Sequence, residues 1–475
     1  MDSPRSTFAS RLLQAQRWHL EGRWEEAGEA YRALQNESPD HPQLLYLHGT
    51  LLLQRGQPGV ALHLLRAAVS AQPGFAQALA NLGAASFQLG LLDQARRAYA
   101  DAERLEPHNA DVQASLAALY VNEGAPERVL AHARAALERQ PDLAVAHWNS
   151  ALAHLELGHW EDGWREFEWG FATGDRLRKR YAALGDPPPW NGGAGQRVLV
   201  YGEMGLGDEI LFASCLPDLA AISMEVIFDC HPRLEALFSR SFPMLKVIGA
   251  RKEEWNTRQD VPAVDATVAA GSLPGFFRGR EEAFPPRLRF LAADPARVAH
   301  YRGKLSVLGG PRPWLALAWQ GGTVPTRTEL RSVPLEGWRS VLAAPGTFVS
   351  VQYTEGAAEE AANVGVAHWQ EAVDDLDEMA ALIAACDGVI SVCQTAVHLA
   401  GALGVPCWCL TPSKPAWRYG LTGERMIWYP SVRLFRQSPG DSWADVLERV
   451  GEALRGWPRD HLESIHPETL KTQAT

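Results

Sequence analysis

A strict interval of 34 residues runs through the first third of the chain. Pro39, Pro73, Pro107 and Pro141 are each 34 residues from the next; Ala27, Ala61 and Ala95 keep that spacing, and so do Tyr31, Leu65 and Tyr99. Gly49 and Gly83 repeat at the same interval, with Ala15, Ala117 and Ala151 in register. A helix-turn-helix unit accounts for all of these: small residues where two helices touch, a large apolar residue filling the gap, and proline ending the second helix because it cannot donate to the preceding turn. The pattern predicts four units over about 8–141 and a weaker fifth from Ala144 to about Phe171. Such units stack into a superhelix whose concave surface suits an extended peptide or protein.

The fifth unit departs from the pattern. Trp160, Trp164, Phe167 and Trp169 crowd into HWEDGWREFEWG, and 160, 164 and 167 share one helical face. A capping helix docked onto the following domain explains that stripe better than a ligand platform does. The 34-residue pattern resembles the tetratricopeptide repeat, and the resemblance implies a protein partner for residues 8–180.

Composition narrows the remainder. A chain of 475 residues implies about three domains. With 46% hydrophobic and 21% charged residues it has the make-up of a soluble globular protein, and no run reaches the roughly 20 apolar residues of a membrane span. The N-terminus lacks an apolar core with a small-residue cleavage site, so the expectation is a cytoplasmic protein. A net charge of −11 with no basic block argues against nucleic acid as a partner. Cys215, Cys230, Cys386, Cys393, Cys407 and Cys409 lack paired Cys-x-x-Cys spacing and lie mostly in apolar strand-like runs, which reads as buried reduced thiols rather than a zinc site.

After the linker Asp186-Pro187-Pro188-Pro189-Trp190-Asn191-Gly192-Gly193, strands and helices alternate. Strand Arg197–Tyr201 meets the glycine-bearing turn Gly202-Glu203-Met204-Gly205-Leu206-Gly207-Asp208, and a helix is predicted from there to about Ala221. Further strands are expected at Glu225–Asp229 and Lys246–Ile248 and near Asp265, with a helix at Pro232–Phe238. Ala283-Phe284-Pro285-Pro286 and Asp294-Pro295 mark the passage to a second lobe. That lobe is predicted to run through helix Arg297–Leu308, strand Trp314–Trp319, the loop Gln320-Gly321-Gly322-Thr323, strand Thr347–Tyr353 and helix Asp377–Ala385. Asp375 and Asp377 are read as helix N-terminal charges rather than as a metal-binding pair.

The stretch Asp387–Gly420 is one β-α-β unit: a buried strand Gly388–Val392, a helix starting at Gln394 and Thr395 and stopped by Gly404 and Pro406, and a second strand Pro406–Leu410. In open α/β sheets ligands bind beyond the carboxyl ends of the strands, where helix N-termini present free N–H groups to anions. A diphosphate fits that place, with His398 in the first helical turn and Lys414 and Arg418 beyond the second strand. His398 as a packed histidine, and the two cations as solvated charges, are the alternatives. A last helix is predicted from Trp443 to about Leu454, and a loosely ordered tail beyond Pro458.

Ser391-Val392, His398-Leu399-Ala400 and Ala402-Leu403-Gly404 resemble the nucleotide-sugar half of glycosyltransferases related to the lipopolysaccharide heptosyltransferases. Leu206-Gly207-Asp208 with Leu216-Pro217, Arg331-Ser332-Val333-Pro334-Leu335 and WYPSVRLFRQ at 428–437 extend the likeness. Relatives carry Asp-Thr where this chain has Cys393 and Gln394. The resemblance implies a GT-B architecture: an all-α repeat solenoid over 8–180, followed by two Rossmann-like α/β lobes over 195–290 and 296–458. It also implies an inverting, metal-independent glycosyltransferase that needs no cofactor and takes a nucleotide sugar as donor. Asp208 would be the general base, with helix capping as its structural alternative. Gly205, Gly207, Gln320, Arg331, Gln394, Thr395, His398, Lys414 and Arg418 would surround the donor. Repeats joined to such a pair resemble enzymes that glycosylate proteins, such as O-GlcNAc transferase and flagellin glycosyltransferases, which implies a protein acceptor. The rival reading is a non-catalytic scaffold that binds a nucleotide or a partner protein. Transfer onto a lipid-linked glycan finds no basic amphipathic helix to support it.

Overall fold

The computed structural model describes residues 7–250, 263–322 and 327–457; the end of the loop expected at Gln320–Thr323 and the tail beyond Pro458 lie outside them. The chain divides into two compact units, with the boundary between Ala153 and His154.

The first unit is a series of helix pairs: α1 (Phe8–Leu20) with α2 (Trp24–Glu37), α3 (Pro42–Gln54) with α4 (Pro58–Ala71), α5 (Ala76–Gln88) with α6 (Leu92–Leu105), and α7 (Ala110–Glu123) with α8 (Pro126–Leu137). Helix α9 (Ala144–Glu156) carries the chain across the boundary. Ala27, Ala61 and Ala95 are completely buried, as the 34-residue interval requires. A Cβ on Gly49 would stand 2.7 Å from Leu65 Cγ, and one on Gly83 would stand 2.6 Å from the Tyr99 ring. Each glycine therefore admits the large residue that fills its repeat. One periodic signal went unused in the sequence reading: Gly22, Gly56, Gly90, Gly124 and Gly158, again 34 apart, all adopt left-handed backbone with φ of 76, 68, 73, 66 and 78°. The first four make the turn inside each pair and Gly158 ends α9, a conformation that costs other residues about 1 kcal/mol or more.

In the second unit, α10 (Trp160–Phe167) buries Trp164 and Phe167 of its aromatic stripe and leaves Trp160 half-buried. The Trp164 indole donates to the Arg278 carbonyl at 3.0 Å and stands edge-on to Trp417 and Trp428, while Phe167 meets Trp417 and Trp160 meets Phe284. Two all-parallel sheets follow. The first holds β1 (Arg197–Tyr201), β2 (Glu225–Cys230), β3 (Lys246–Gly249) and β4 (Ala266–Ala269) in the order β3-β2-β1-β4. The second holds β5 (Trp314–Ala318), β6 (Thr347–Ser350), β7 (Ala367–His368), β8 (Gly388–Val392), β9 (Cys407–Thr411) and β10 (Val432–Arg436) in the order β10-β9-β8-β5-β6-β7. In each sheet the chain winds outward and then returns to the other side of its first strand. Its direction therefore switches between β1 and β4 and between β5 and β8, the places where such sheets open a crevice.

The helices that matter for the site are α11 (Leu206–Ala213), α12 (Leu216–Ile222), α13 (Glu235–Ser241), α14 (Pro295–Val307), α15 (Leu376–Ala385), α16 (Thr395–Leu403) and α17 (Trp443–Arg455). The single helix expected up to Ala221 is in fact two. Pro217 has no N–H for the preceding turn, and the Arg278 guanidinium donates to the Ser214 carbonyl there at 3.1 Å while pairing with Asp218. Strand β6 also stops short of the expected Tyr353. Beyond Ser350 the fully buried Gln352 side chain takes over the pairing, accepting from the Trp319 and Gln320 N–H groups and donating to the Gln320 carbonyl. Asp375 caps α15, accepting from the N–H groups of Asp377 and Glu378, and Asp377 is held by Arg240. All six cysteines are free and buried; Cys393, just beyond β8, and Cys409, in the middle of β9, bring their sulfurs to 3.7 Å.

Candidate functional site

Two helix amino ends meet at the site. Helix α11 leaves β1 through Met204, whose φ of 64° is left-handed, and Gly205, its N-cap, in extended backbone. Helix α16 leaves β8 through Gln394, its N-cap. The first N–H groups of any helix lack intrahelical partners and carry partial positive charge, so both ends favour an anion. Gly207 lies against His398: a Cβ there would come within 2.9 Å of the imidazole Cδ2, so this close approach of α11 to α16 needs glycine.

Asp208, third residue of α11, forms an ion pair with Arg418 from the turn beyond β9. Both side chains are largely covered, at 17% and 14% exposure. Arg418 also lies over the Trp417 ring, 5.0 Å from its centroid. His398 is 4% exposed and shares a hydrogen bond of 3.1 Å between Nδ1 and the Tyr429 hydroxyl. Burial, reinforced by Arg418 and Arg331 and opposed by Asp208, drives its pKa from 6.5 down to about 3, so the imidazole is neutral near pH 7. Arg331 donates to the Cys393 carbonyl, in the turn between β8 and α16, at 3.3 Å. Gly321 packs against that carbonyl and against Gln394 Cβ, and its own N–H donates to the Arg331 carbonyl.

Of the residues expected around a ligand, Gly207, Asp208, Arg331, Gln394, Thr395, His398 and Arg418 come together here. Gly205 borders the group through Asp208. Gln320 is beside it, its backbone fixed by Gln352. Lys414 is part-exposed and makes no ion pair among the described residues. His398 is indeed a packed histidine, and it is packed inside the site. Among the described residues no group of three His, Cys, Asp or Glu side chains is arranged to hold a metal ion.

Three features went unread in the sequence. Tyr429, in the recognised WYPSVRLFRQ run, is the His398 partner. Glu209 follows Asp208 but turns inward, 5% exposed, accepting from the His231 N–H at 2.9 Å. Burial lifts its pKa from 4.5 to about 7, against the pull of that N–H and of Lys179. Glu203, in the same turn, is buried against Arg176. A cavity of about 790 Å³ opens beyond the carboxyl ends of β1 and β4, walled by Trp164, Phe171, Tyr181, Trp190, Tyr201 and Phe276. None of the expected site residues lines it.

His398 and Glu209 give the unit opposing responses to pH. The unfolded chain protonates His398 below about 6.5 and the folded chain does not, so this group costs stability as pH falls from 6.5 towards 3. Folded Glu209 keeps its proton up to about 7 while the unfolded chain loses it above 4.5, so this group's stabilisation is complete below 4.5 and fades as pH rises through 7. Between 4.5 and 6.5 the two largely cancel. Glu209→Gln removes the second term, and its folding constant is expected to fall by up to about tenfold per pH unit below 6.5, more steeply than the wild type. Denaturant midpoints at pH 7 and pH 5 measure the difference.

The helical unit and the two-sheet unit define a repeat protein joined to a parallel α/β region. The tetratricopeptide-repeat sequence profile matches residues 46–111. Protein FlbA of Caulobacter vibrioides is 33% identical over 427 residues, covering 83% of this chain and 70% of FlbA. The chain belongs to the FlbA family. Among solved structures it is similar to TTC0263, a tetratricopeptide-repeat protein of Thermus thermophilus (20% identity, 36% of this chain and 92% of that one, TM-score 0.31). It is also similar to YrrB, described as a repeat protein with an unusual peptide-binding site (23%, 30% and 74%, TM-score 0.27). The first such domain of Spaghetti, bound to an HSP90 peptide, is 22% identical over 24% of this chain and 92% of that one, with a TM-score of 0.24. No helix among the described residues is long and apolar enough to cross a membrane.

Proposed function

We propose that the second unit is an inverting, metal-independent glycosyltransferase of GT-B type that moves a sugar from a nucleotide donor to an acceptor, which is a protein recruited by the repeats. The carrying observation is the meeting of Asp208, Arg418, Arg331 and two helix amino ends at the switch point of the second sheet. That set supplies both halves of the chemistry. The amino end of α16 and the two guanidinium groups would hold the donor diphosphate and stabilise the charge that grows on it as the bond to the anomeric carbon breaks. Asp208 would take the proton of the acceptor hydroxyl as its oxygen bonds to that carbon. The ion pair occupies the carboxylate oxygen that would face the acceptor, so diphosphate binding must draw Arg418 away from Asp208 before transfer. The cavity beyond β1 and β4, on the strand end that leads to Asp208, is the natural entry for part of the acceptor. The repeats supply the peptide-binding surface such an enzyme needs.

The Asp208–Arg418 pair also favours the rival reading, in which the base is permanently neutralised and the unit only binds. Thermal unfolding with UDP-, GDP-, ADP- and CMP-linked sugars, on the wild type and on Arg418→Ala, separates the two from a protein that binds no nucleotide at all. A ligand bound only by the folded state raises the transition with the logarithm of its concentration over Kd. One nucleotide class is expected to raise it by a few degrees in the wild type and not in the variant. No shift with any of them at millimolar concentration would sink the reading.

A further inference from the structure

Gln394 holds an amide that no described residue satisfies. It is 5% exposed, and neither Oε1 nor Nε2 has a hydrogen-bond partner among the described residues. At the N-cap of α16 its side chain makes no capping bond, although a side-chain oxygen at this position ordinarily accepts from the first turn. A buried amide left unpaired opposes folding, so one in a native protein calls for a partner. The Cβ lies against Gly321, and the preceding carbonyl is tied to Arg331, so the backbone that carries the amide is held in place.

The surroundings say what the amide would meet. Guanidinium groups and helix N–H groups donate only, and they suit the acceptor oxygens of a diphosphate. A phosphate could answer Nε2 and would leave Oε1 orphaned. A hydroxyl both donates and accepts, and so answers either atom.

Resting on the donor-site reading above, we propose that Gln394 determines specificity: it swings from its buried rotamer to bond a hydroxyl of the glycosyl group, and it takes no part in holding the phosphates. The unliganded protein keeps an unsatisfied amide, and the sugar relieves it.

Gln394→Met keeps the shape and removes both polar atoms. The unliganded variant is expected to unfold about 2 °C higher than the wild type, because the orphan is gone. Calorimetry with UDP and UDP-glucose, GDP and GDP-mannose, and ADP and ADP-glucose reads the rest. For the pair that the wild type binds, the variant is expected to keep its affinity for the nucleoside diphosphate within about twofold and to lose about tenfold for the sugar-linked form. Gln394→Glu, which retains the acceptor and abolishes the neutral donor, is expected to lose the sugar-linked form as well. Equal loss of both ligands in Gln394→Met would assign the amide to the phosphates and overturn the proposal, as would no loss of either. A wild type that binds no member of any pair would instead overturn the donor-site reading, and this proposal with it.

Discussion

Arg176→Met is expected to lower the stability of the second unit by about 3–5 kcal/mol, read from the midpoint of denaturant unfolding. The guanidinium is 1% exposed and surrounded by acceptors: Glu203 Oε1 at 2.6 Å, Glu168 Oε1 at 2.8 Å, Ser272 Oγ at 2.8 Å and the Phe167 carbonyl at 3.3 Å. It lies over the Phe167 and Phe171 rings, 4.6 and 4.1 Å from their centroids. Glu203 depends on it. Burial pushes that carboxyl's pKa up, and Arg176 with the Gly271 N–H pulls the other way. Methionine fills the space but leaves a buried carboxylate with one backbone donor, and an uncompensated charge in the interior accounts for most of the loss. The double variant Arg176→Met with Glu203→Leu removes the charge as well as its partner, so it should be more stable than Arg176→Met alone. A double variant no better than the single one would mean that the arginine acts through packing on the rings.

The same pair bears on the site. Glu203 begins the run Glu203-Met204-Gly205-Leu206-Gly207-Asp208, and Met204 in that run holds a left-handed backbone. Anchoring Glu203 to the segment that carries Arg176 fixes the origin of the turn, and the turn fixes where Asp208 stands. Stability and positioning are one arrangement here.

What could be read from the sequence follows the range of the contacts involved. The repeat is legible because each of its contacts lies within one or two 34-residue intervals, and every interval restates the demand for small residues at Ala27, Ala61 and Ala95. The strand Gly388–Val392 is legible to the residue because burial on both faces demands an uninterrupted apolar run. Gln352 was not legible, because a side chain that substitutes for a strand's last ladder bonds looks in sequence like any residue after the strand. Nor were the partners of the site. Arg176 and Glu203 are 27 apart, His398 and Tyr429 31 apart, and Asp208 and Arg418 210 apart, and only the fold joins them.

Asp208→Asn is expected to reduce turnover by about 10²–10⁴-fold while leaving donor binding intact. Release of nucleoside diphosphate from the sugar donor chosen by the thermal panel measures the first, and the size of the thermal shift measures the second. Asparagine keeps the shape of the side chain and its place in the first turn of α11, but it cannot accept a proton from a hydroxyl. It also releases Arg418 from its ion pair, so the guanidinium is free for the diphosphate before any ligand arrives. Donor affinity should therefore hold or rise even as turnover collapses. Arg418→Ala carries the opposite signature, losing the thermal shift because the diphosphate loses its cation. Turnover unchanged in Asp208→Asn would remove the residue from the chemistry and leave it as a helix-capping charge that Arg418 neutralises. Turnover and thermal shift lost together would instead make Asp208 a strut between the two sheets, with the acceptor's proton taken elsewhere.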